Sequence, residues 1–281
     1  MSPRPATLCF LLLGLSACSP PPEAPTELGE LTTYLFANFD DPDPLVMQAG
    51  LVNMVTFLED FEGEADLGVD SSATDRSWSV PALQEDDWGG AAHVDGVDPE
   101  LLYAVSVAVR SSYTTDEHTP LIGLADQLPL ESSSSARYDR TFLDDFATWS
   151  AAGEGSLRTL NDIDRDNILL TLTYECNKDY RWVTMPDGSL ATIGRSWISQ
   201  SYVNESGAGT SGEDVMDFFS NVEVTLPSGD TSLRYNALWG HVSFVPTVDQ
   251  TVLENTVRNG IAEGMENTEL YLAAGPLAPG R

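Results

Sequence analysis

The chain has 281 residues, 42% of them hydrophobic, and carries 44 acidic side chains against 13 basic ones for a formal net charge of −31. That balance excludes a nucleic-acid-binding footprint, which requires clustered Lys and Arg, and it repels the body of the protein from anionic lipid headgroups. The apolar fraction is ample for a core, and the length suits one large domain or two small ones.

In chain order, the first feature is a short apolar run. Arg4 is the lone charge among the first residues, Ala6 to Leu15 is almost wholly apolar, and Leu15-Ser16-Ala17-Cys18 follows. A basic start, an apolar middle and small residues at the end form the layout of an export signal, and the run is too short to span a bilayer, which takes roughly 20 residues. The four-residue ending resembles the lipobox of bacterial lipoproteins. That resemblance implies removal of residues 1–17 and acylation of Cys18, which would tie the protein to a membrane by its N-terminus. Ser19 in place of Asp implies transfer to the outer membrane. Cys9 would leave with the leader, so Cys176 would be the one remaining thiol and no intramolecular disulfide could form. Residues 18–26 are proline-rich and read as a stiff tether of about 3.1 Å per residue.

Residues 27–281 read as a single α+β domain with a helical part at 27–61, an irregular acidic region at 62–98, and a sheet with helices at 99–281. Leu28, Leu31, Leu35 and Phe39 share one helical face. Asp43 and Pro44 form a cap and first-turn pair for a second helix with the stripe Met47, Leu51, Met54, Val55, Leu58 and Phe61, interrupted by Gly50. Trp78, Val80, Leu83 and Trp88 are expected to pin the acidic region to the core. Leu101 to Arg110 alternate as a strand, behind a helix-start signal at Asp98-Pro99-Glu100. Residues 131–135 read as a loop. Tyr138, Phe142, Phe146 and Trp149 then predict a helix ending near Gly153.

From residue 168 the pattern predicts an antiparallel sheet, with strands at 168–176, 179–185, 190–203, 221–226 and 231–245. Met185 to Ser189 and Pro227 to Asp230 supply turns. A bulge near Gly240 would place Leu233, Tyr235, Ala237, Trp239, Val242 and Phe244 on one core side. The last helix is expected over Thr251 to Met265, with Asp249 as cap. Helices, then meandering strands, then a long C-terminal helix resemble, in element order, the helix-grip fold of lipid- and sterol-transfer domains.

Candidate chemistry is sparse. Asp162, Asp164 and Asp166 precede Asn167 with alternating spacing that resembles the first half of an EF-hand loop and would suit calcium; Asn167 stands where Gly is usual and Thr173 where the bidentate Glu belongs. Gly207 to Gly212 matches G-x-G-x-x-G without the strand and helix that motif needs, and reads as a loop. Ser211 lacks the second glycine of a nucleophile elbow, as Glu213 occupies that place. His93 and His118 fall in polar segments, and His241 lies in a strand. Cys176 shares a strand face with Leu172 and Tyr174 and reads as an inert buried thiol. Trp182, Trp197, Tyr202, Tyr235 and Trp239 either line an apolar cavity under the last helix or form ordinary core. The acid-rich, lysine-poor composition also resembles that of proteins from salt-adapted organisms, in which charge maintains solubility.

Three readings follow, with no cofactor beyond the calcium candidate. The first is a lipid-anchored envelope protein, not an enzyme, that binds an apolar small molecule or another envelope protein and shows an enclosed cavity. The second is a structural protein with a filled core and an exposed apolar patch. The third is an exported hydrolase with paired acids or a histidine beside a hydroxyl.

Overall fold

A computed structural model describes residues 23–62, 78, 80–88, 91, 97–166, 171–203, 215–243 and 249–275. Cys18 and its surroundings, His93, Asn167, Gly207 to Gly212, Phe244 and most of the acidic region lie outside the described residues.

Two helices open the fold. In α1 (Leu28–Ala37), Leu28, Leu31, Leu35 and Phe36 are buried, and the amide side chain of Asn38 closes the end by donating to the Tyr34 carbonyl. In α2 (Pro44–Glu62), the Asp43 carboxylate accepts from the Leu45 amide, the expected cap. Gly50 is where the two helices touch: a Cβ there would sit 2.8 Å from Leu35 Cδ2. Val80, Leu83 and Trp88 join this cluster as expected, and the Trp239 indole donates to the Pro81 carbonyl.

The remainder is one antiparallel sheet: β1 (Tyr103–Ser111), β2 (Ser135–Phe142), β3 (Ser156–Asp166), β4 (Thr171–Thr184), β5 (Leu190–Trp197), β6 (Tyr202–Val203), β7 (Val215–Ser228) and β8 (Thr231–Val242). The strand order is β1-β8-β7-β5-β4-β3-β2, with β6 paired to β7. Two short helices bridge the edges, α3 (Thr115–Ile122) after β1 and α4 (Phe146–Ala152) after β2, and α5 (Gln250–Ala274) ends the fold. Asp249 caps α5 by accepting from the Thr251 amide, as expected, and the helix runs two turns beyond the predicted end.

The α+β class, the antiparallel sheet and the long C-terminal helix match the sequence reading; several elements do not. Tyr138 to Phe142 is strand β2, not helix, and only α4 is helical, ended by Gly153 in the left-handed region. A spacing of four residues suits both a helix and a strand, and the charged Arg140 at the inward position between Tyr138 and Phe142 hides the alternation. Strand β3 covers the run expected to resemble a calcium loop, and its alternation is hidden because its inward positions include Thr159 and Asn161. The two strands expected on either side of Asn177-Lys178 are one continuous β4. His118 lies in α3, whose capping box Thr114-x-x-Glu117 is complete. The bulge lies on β7, between Met216 and Phe218, and not at Gly240.

That last difference changes the reading of the core, because both faces of the sheet are covered. Tyr235, Ala237 and Trp239 of β8, with Val222, Val224 and Leu226 of β7, pack under α1 and α2, where Phe36 meets Trp239 edge-to-face at 5.5 Å. Val242 joins Tyr138, Ile163, Tyr174 and Cys176 on the opposite face. Val107 and Val109 of β1 receive Ala262 and Met265 of α5 on that same side.

A charged cavity between the sheet and the last helix

On the face opposite α1 and α2 lies a cavity of about 520 Å³. Its floor is the alternate set of strand residues, including Ile163, Cys176, Ser196, Phe219, Leu238 and Val242, and α3, the loop after residue 130 and α5 form its walls. The loop approaches α5 closely at Gly264, where a Cβ would lie 3.3 Å from the Leu130 carbonyl oxygen, and Ser133 donates from its amide to Glu263 at 2.9 Å. The volume falls within the range of small-molecule sites, roughly 300–1,000 Å³.

The lining is apolar in outline but carries Arg140, Arg165, Lys178 and Arg234, a large share of the 13 basic residues in the chain. The Arg140 guanidinium donates to Asn161 Oδ1 at 2.9 Å and to the Ile122 carbonyl at 2.7 Å. Arg165 pairs with Glu131 at 2.9 Å and donates to Ser135 Oγ. Lys178 Nζ lies 2.9 Å from Glu223 Oε1. The Tyr180 ring takes Arg140 Cζ and Lys178 Nζ at 5.3 Å each from its centroid, a cation–π arrangement that lowers the cost of burying both charges. Burial opposes the Lys178 charge, but Glu223, Tyr180 and Tyr138 together raise its pKa and hold the ammonium protonated; burial likewise opposes the Glu223 charge, and Lys178 with Arg140 and Arg234 keeps its pKa below the usual value.

Gly194 makes the Lys178–Glu223 contact possible. It stands between Tyr180 and Glu223 in the strand register, and a Cβ there would sit 3.0 Å from Glu223 Cγ. Without a side chain at 194, Glu223 lies across β5 and reaches Lys178 on β4.

His118 and Ser111 form a second polar pair, with His118 Nε2 2.7 Å from Ser111 Oγ. A histidine beside a hydroxyl is what a hydrolase would show. Ser111, however, is fully buried, and its oxygen already accepts from the Tyr113 amide. Burial, together with the nearby Arg234 charge, lowers the His118 pKa to about 3, far from the range in which an imidazole takes a proton from a nucleophile. The pair ties α3 to β1.

The other sequence candidates fall as follows. Asp162, Asp164 and Asp166 occupy alternate positions of β3, so their backbones are spaced by about 6.6 Å per step and the outer two by about 13 Å, too far for one cation to gather all three. Asp164 is paired with Arg137 at 2.9 Å, Asp166 accepts from the Thr171 hydroxyl, and no cluster of three or more His, Cys, Asp or Glu suited to a metal occurs among the described residues. Cys176 borders the cavity, but burial pushes its thiol up to about 12, so it stays protonated. His241 Nδ1 sits 2.6 Å from Asp217 on the bulge of β7. Of the five aromatics proposed for a cavity, Trp239 packs on α1, Trp182 stacks on Trp149 at 5.0 Å, Trp197 lies against Arg195, and Tyr202 meets Tyr174. Tyr235 borders the cavity, but its hydroxyl bonds Thr32 Oγ1 of α1 at 2.6 Å on the packed side.

No family model matches the chain, and no curated protein matches it. Among solved structures, it is similar to a STAR-related lipid transfer protein from Xanthomonas axonopodis, with a TM-score of 0.40 and 12% identity over 63% of this chain and 97% of that one. It is also similar to the lipid transfer and protein localization domain of human StarD13, with a TM-score of 0.41 and 12% identity over 76% and 95% of the two chains. The Zhui aromatase/cyclase from Streptomyces sp. R1128 is a third, at a TM-score of 0.37 and 10% identity over 63% and 99%.

Sequence reasoning missed Arg140, Arg165, Lys178, Glu223 and Arg234. One signal was present: Cys176, Lys178 and Tyr180 alternate on one strand, so the sole lysine of an acidic chain points the same way as a buried thiol and a buried ring.

Proposed function

We propose that this protein is a binding protein of a bacterial cell envelope, anchored by acyl chains on Cys18 in the outer membrane, that holds an amphipathic small molecule between the sheet and α5. The observation that carries the binding reading is the cavity of about 520 Å³, lined by aliphatic and tyrosine side chains with a few convergent polar groups. The Leu15 to Cys18 lipobox supports the anchor, and Ser19 supports the outer-membrane assignment. Among the described residues no helix is long and apolar enough to cross a membrane.

Two measurements test this. A fluorescent apolar probe should bind the protein carrying Cys18→Ser and be displaced by single-chain amphiphiles; failure of every probe to bind would sink the binding reading. Intact-mass analysis of protein from its native host should show Cys18 as an acylated N-terminus, and an unmodified residue 18 would remove the anchor.

A further inference from the structure

The cavity gathers cations in a chain that is otherwise short of them, and their partners do not balance them. Arg165 and Glu131 neutralise each other at 2.9 Å. Glu263 is turned to the Ser133 amide and hydroxyl. Glu269 does not border the cavity; it accepts from the Ser112 amide, approaches His118 Nε2 at 3.9 Å, and its charge also acts on Arg234. Among the described residues, Glu223 is the lining carboxylate that acts on Lys178, Arg140 and Arg234 together, and Glu269 adds to it at Arg234. Lys178 takes the direct contact with Glu223, Arg140 is held by neutral acceptors, and among the described residues Arg234 makes a single long bond, 3.5 Å from Nη1 to the Met265 carbonyl. Three cations thus face two carboxylates, and a charge removed from water without a full counter-charge is costly, so the site gains when an anion enters.

We propose that the polar end of the ligand is an anion, a carboxylate or a phosphate monoester on an aliphatic chain, seated against Arg234 with Lys178 and Arg140 alongside. This assignment rests on the ligand-binding reading above. Arg234 is the primary contact because it borders the cavity on β8 with most of its five N–H groups uncommitted, in a planar fork that matches either oxyanion. The aliphatic part lies toward Ile163, Phe219, Leu238 and Val242. A neutral amphiphile of the same length would fill the same apolar space and leave the cations uncompensated.

The test is displacement of a fluorescent probe from the full chain carrying Cys18→Ser, with decanoate, decyl phosphate and decanol as competitors at pH 8 and low salt. The anions should bind about tenfold tighter than decanol or better, and Arg234→Gln should collapse that ratio toward unity while decanol binding is unchanged. The ratio between competitors, read with a melting curve of the variant, separates lost recognition from lost folding. A preference for decanoate over decyl phosphate, or the reverse, identifies the head group. Equal binding of decanol and decanoate would overturn the anion assignment and leave the cavity reading standing. An undiminished ratio in Arg234→Gln would overturn the role of that residue. No displacement by any of the three would overturn both.

Discussion

Consecutive residues of β8 serve two different purposes. Leu233, Tyr235, Ala237 and Trp239 face α1 and α2 and are almost fully buried, while Arg234, Asn236 and Leu238 face the cavity and are half-buried. The packed face buries its polar groups among rings and side chains, although Arg195 Nε and Nη1 have no hydrogen-bond partner among the described residues. Tyr235 donates to Thr32, which donates to the Leu28 carbonyl, and Arg195 is clamped over Phe39 at 4.6 Å with Asp40 at 2.7 Å. The cavity face pairs Arg165 and Lys178 with carboxylates but leaves Arg234 with one long bond at the edge of open volume. One face is therefore packed and the other borders a cavity, and the period-2 geometry of a strand lets one sequence encode both.

The largest effect expected from this contrast is at the packed face. Trp239→Ala should cost about 3–5 kcal/mol in urea denaturation, because a large buried side chain leaves a cavity that α1 cannot fill, whereas Leu238→Ala next to it should cost less than about 1–2 kcal/mol, because its side chain already borders empty space. Equal losses would mean that the two faces are energetically alike. Next comes the Lys178–Glu223 pair. Lys178→Met should cost about 2–3 kcal/mol by stranding Glu223, and Lys178→Met with Glu223→Gln should recover most of it; a double variant no better than the single would show that the two groups are not coupled.

His118 predicts a pH effect of comparable size on a slower slope. Its folded pKa of about 3 lies below the unfolded value near 6.5, so its contribution is complete above pH 6.5 and is lost as pH falls toward 3, up to roughly 4 kcal/mol in all. The wild type should therefore lose more stability between pH 7 and pH 4 than His118→Gln does, and parallel curves would refute this. Asp179 works in the opposite sense. Burial, with Asp40 nearby, raises its carboxyl to about 6, so its contribution is fully present below pH 3.8 and is lost as pH rises through 6. Asp179→Asn should stabilise the protein at pH 8, by roughly 1 kcal/mol or less after solvent screening, and not at pH 3.5. The smallest effect is expected for calcium: with Asp162, Asp164 and Asp166 spread along β3, added calcium should leave the melting temperature where it was, and a rise of several degrees would return these residues to candidacy.

The packed half of the molecule was legible because its residues obey simple periods. Leu28, Leu31 and Leu35 repeat at helical spacing, Asp43 and Asp249 cap as expected, and Leu233 to Trp239 alternate cleanly. The binding half was not, for one recurring reason. Arg140 in β2, Thr159 and Asn161 in β3 and Lys178 in β4 are polar residues at inward positions, and each broke the alternation that marks a strand. The residues that make the site chemically distinct are the ones that concealed the elements carrying it. The single-residue bulge at Asp217 has no sequence signature, because it depends on how β7 pairs with β8.

By itself the sequence determined the class of fold, the strongly anionic composition and the long helix at the end, and Leu15 to Cys18 is the basis on which an anchor is proposed. Only the tertiary structure decided that both sides of the sheet are covered, that α5 stands off far enough to leave a cavity, and that widely separated cations converge on Glu223. Local propensity and hydrophobic period act over a few residues, whereas charge convergence is set by strand register across β4, β5, β7 and β8, which no stretch of chain holds alone.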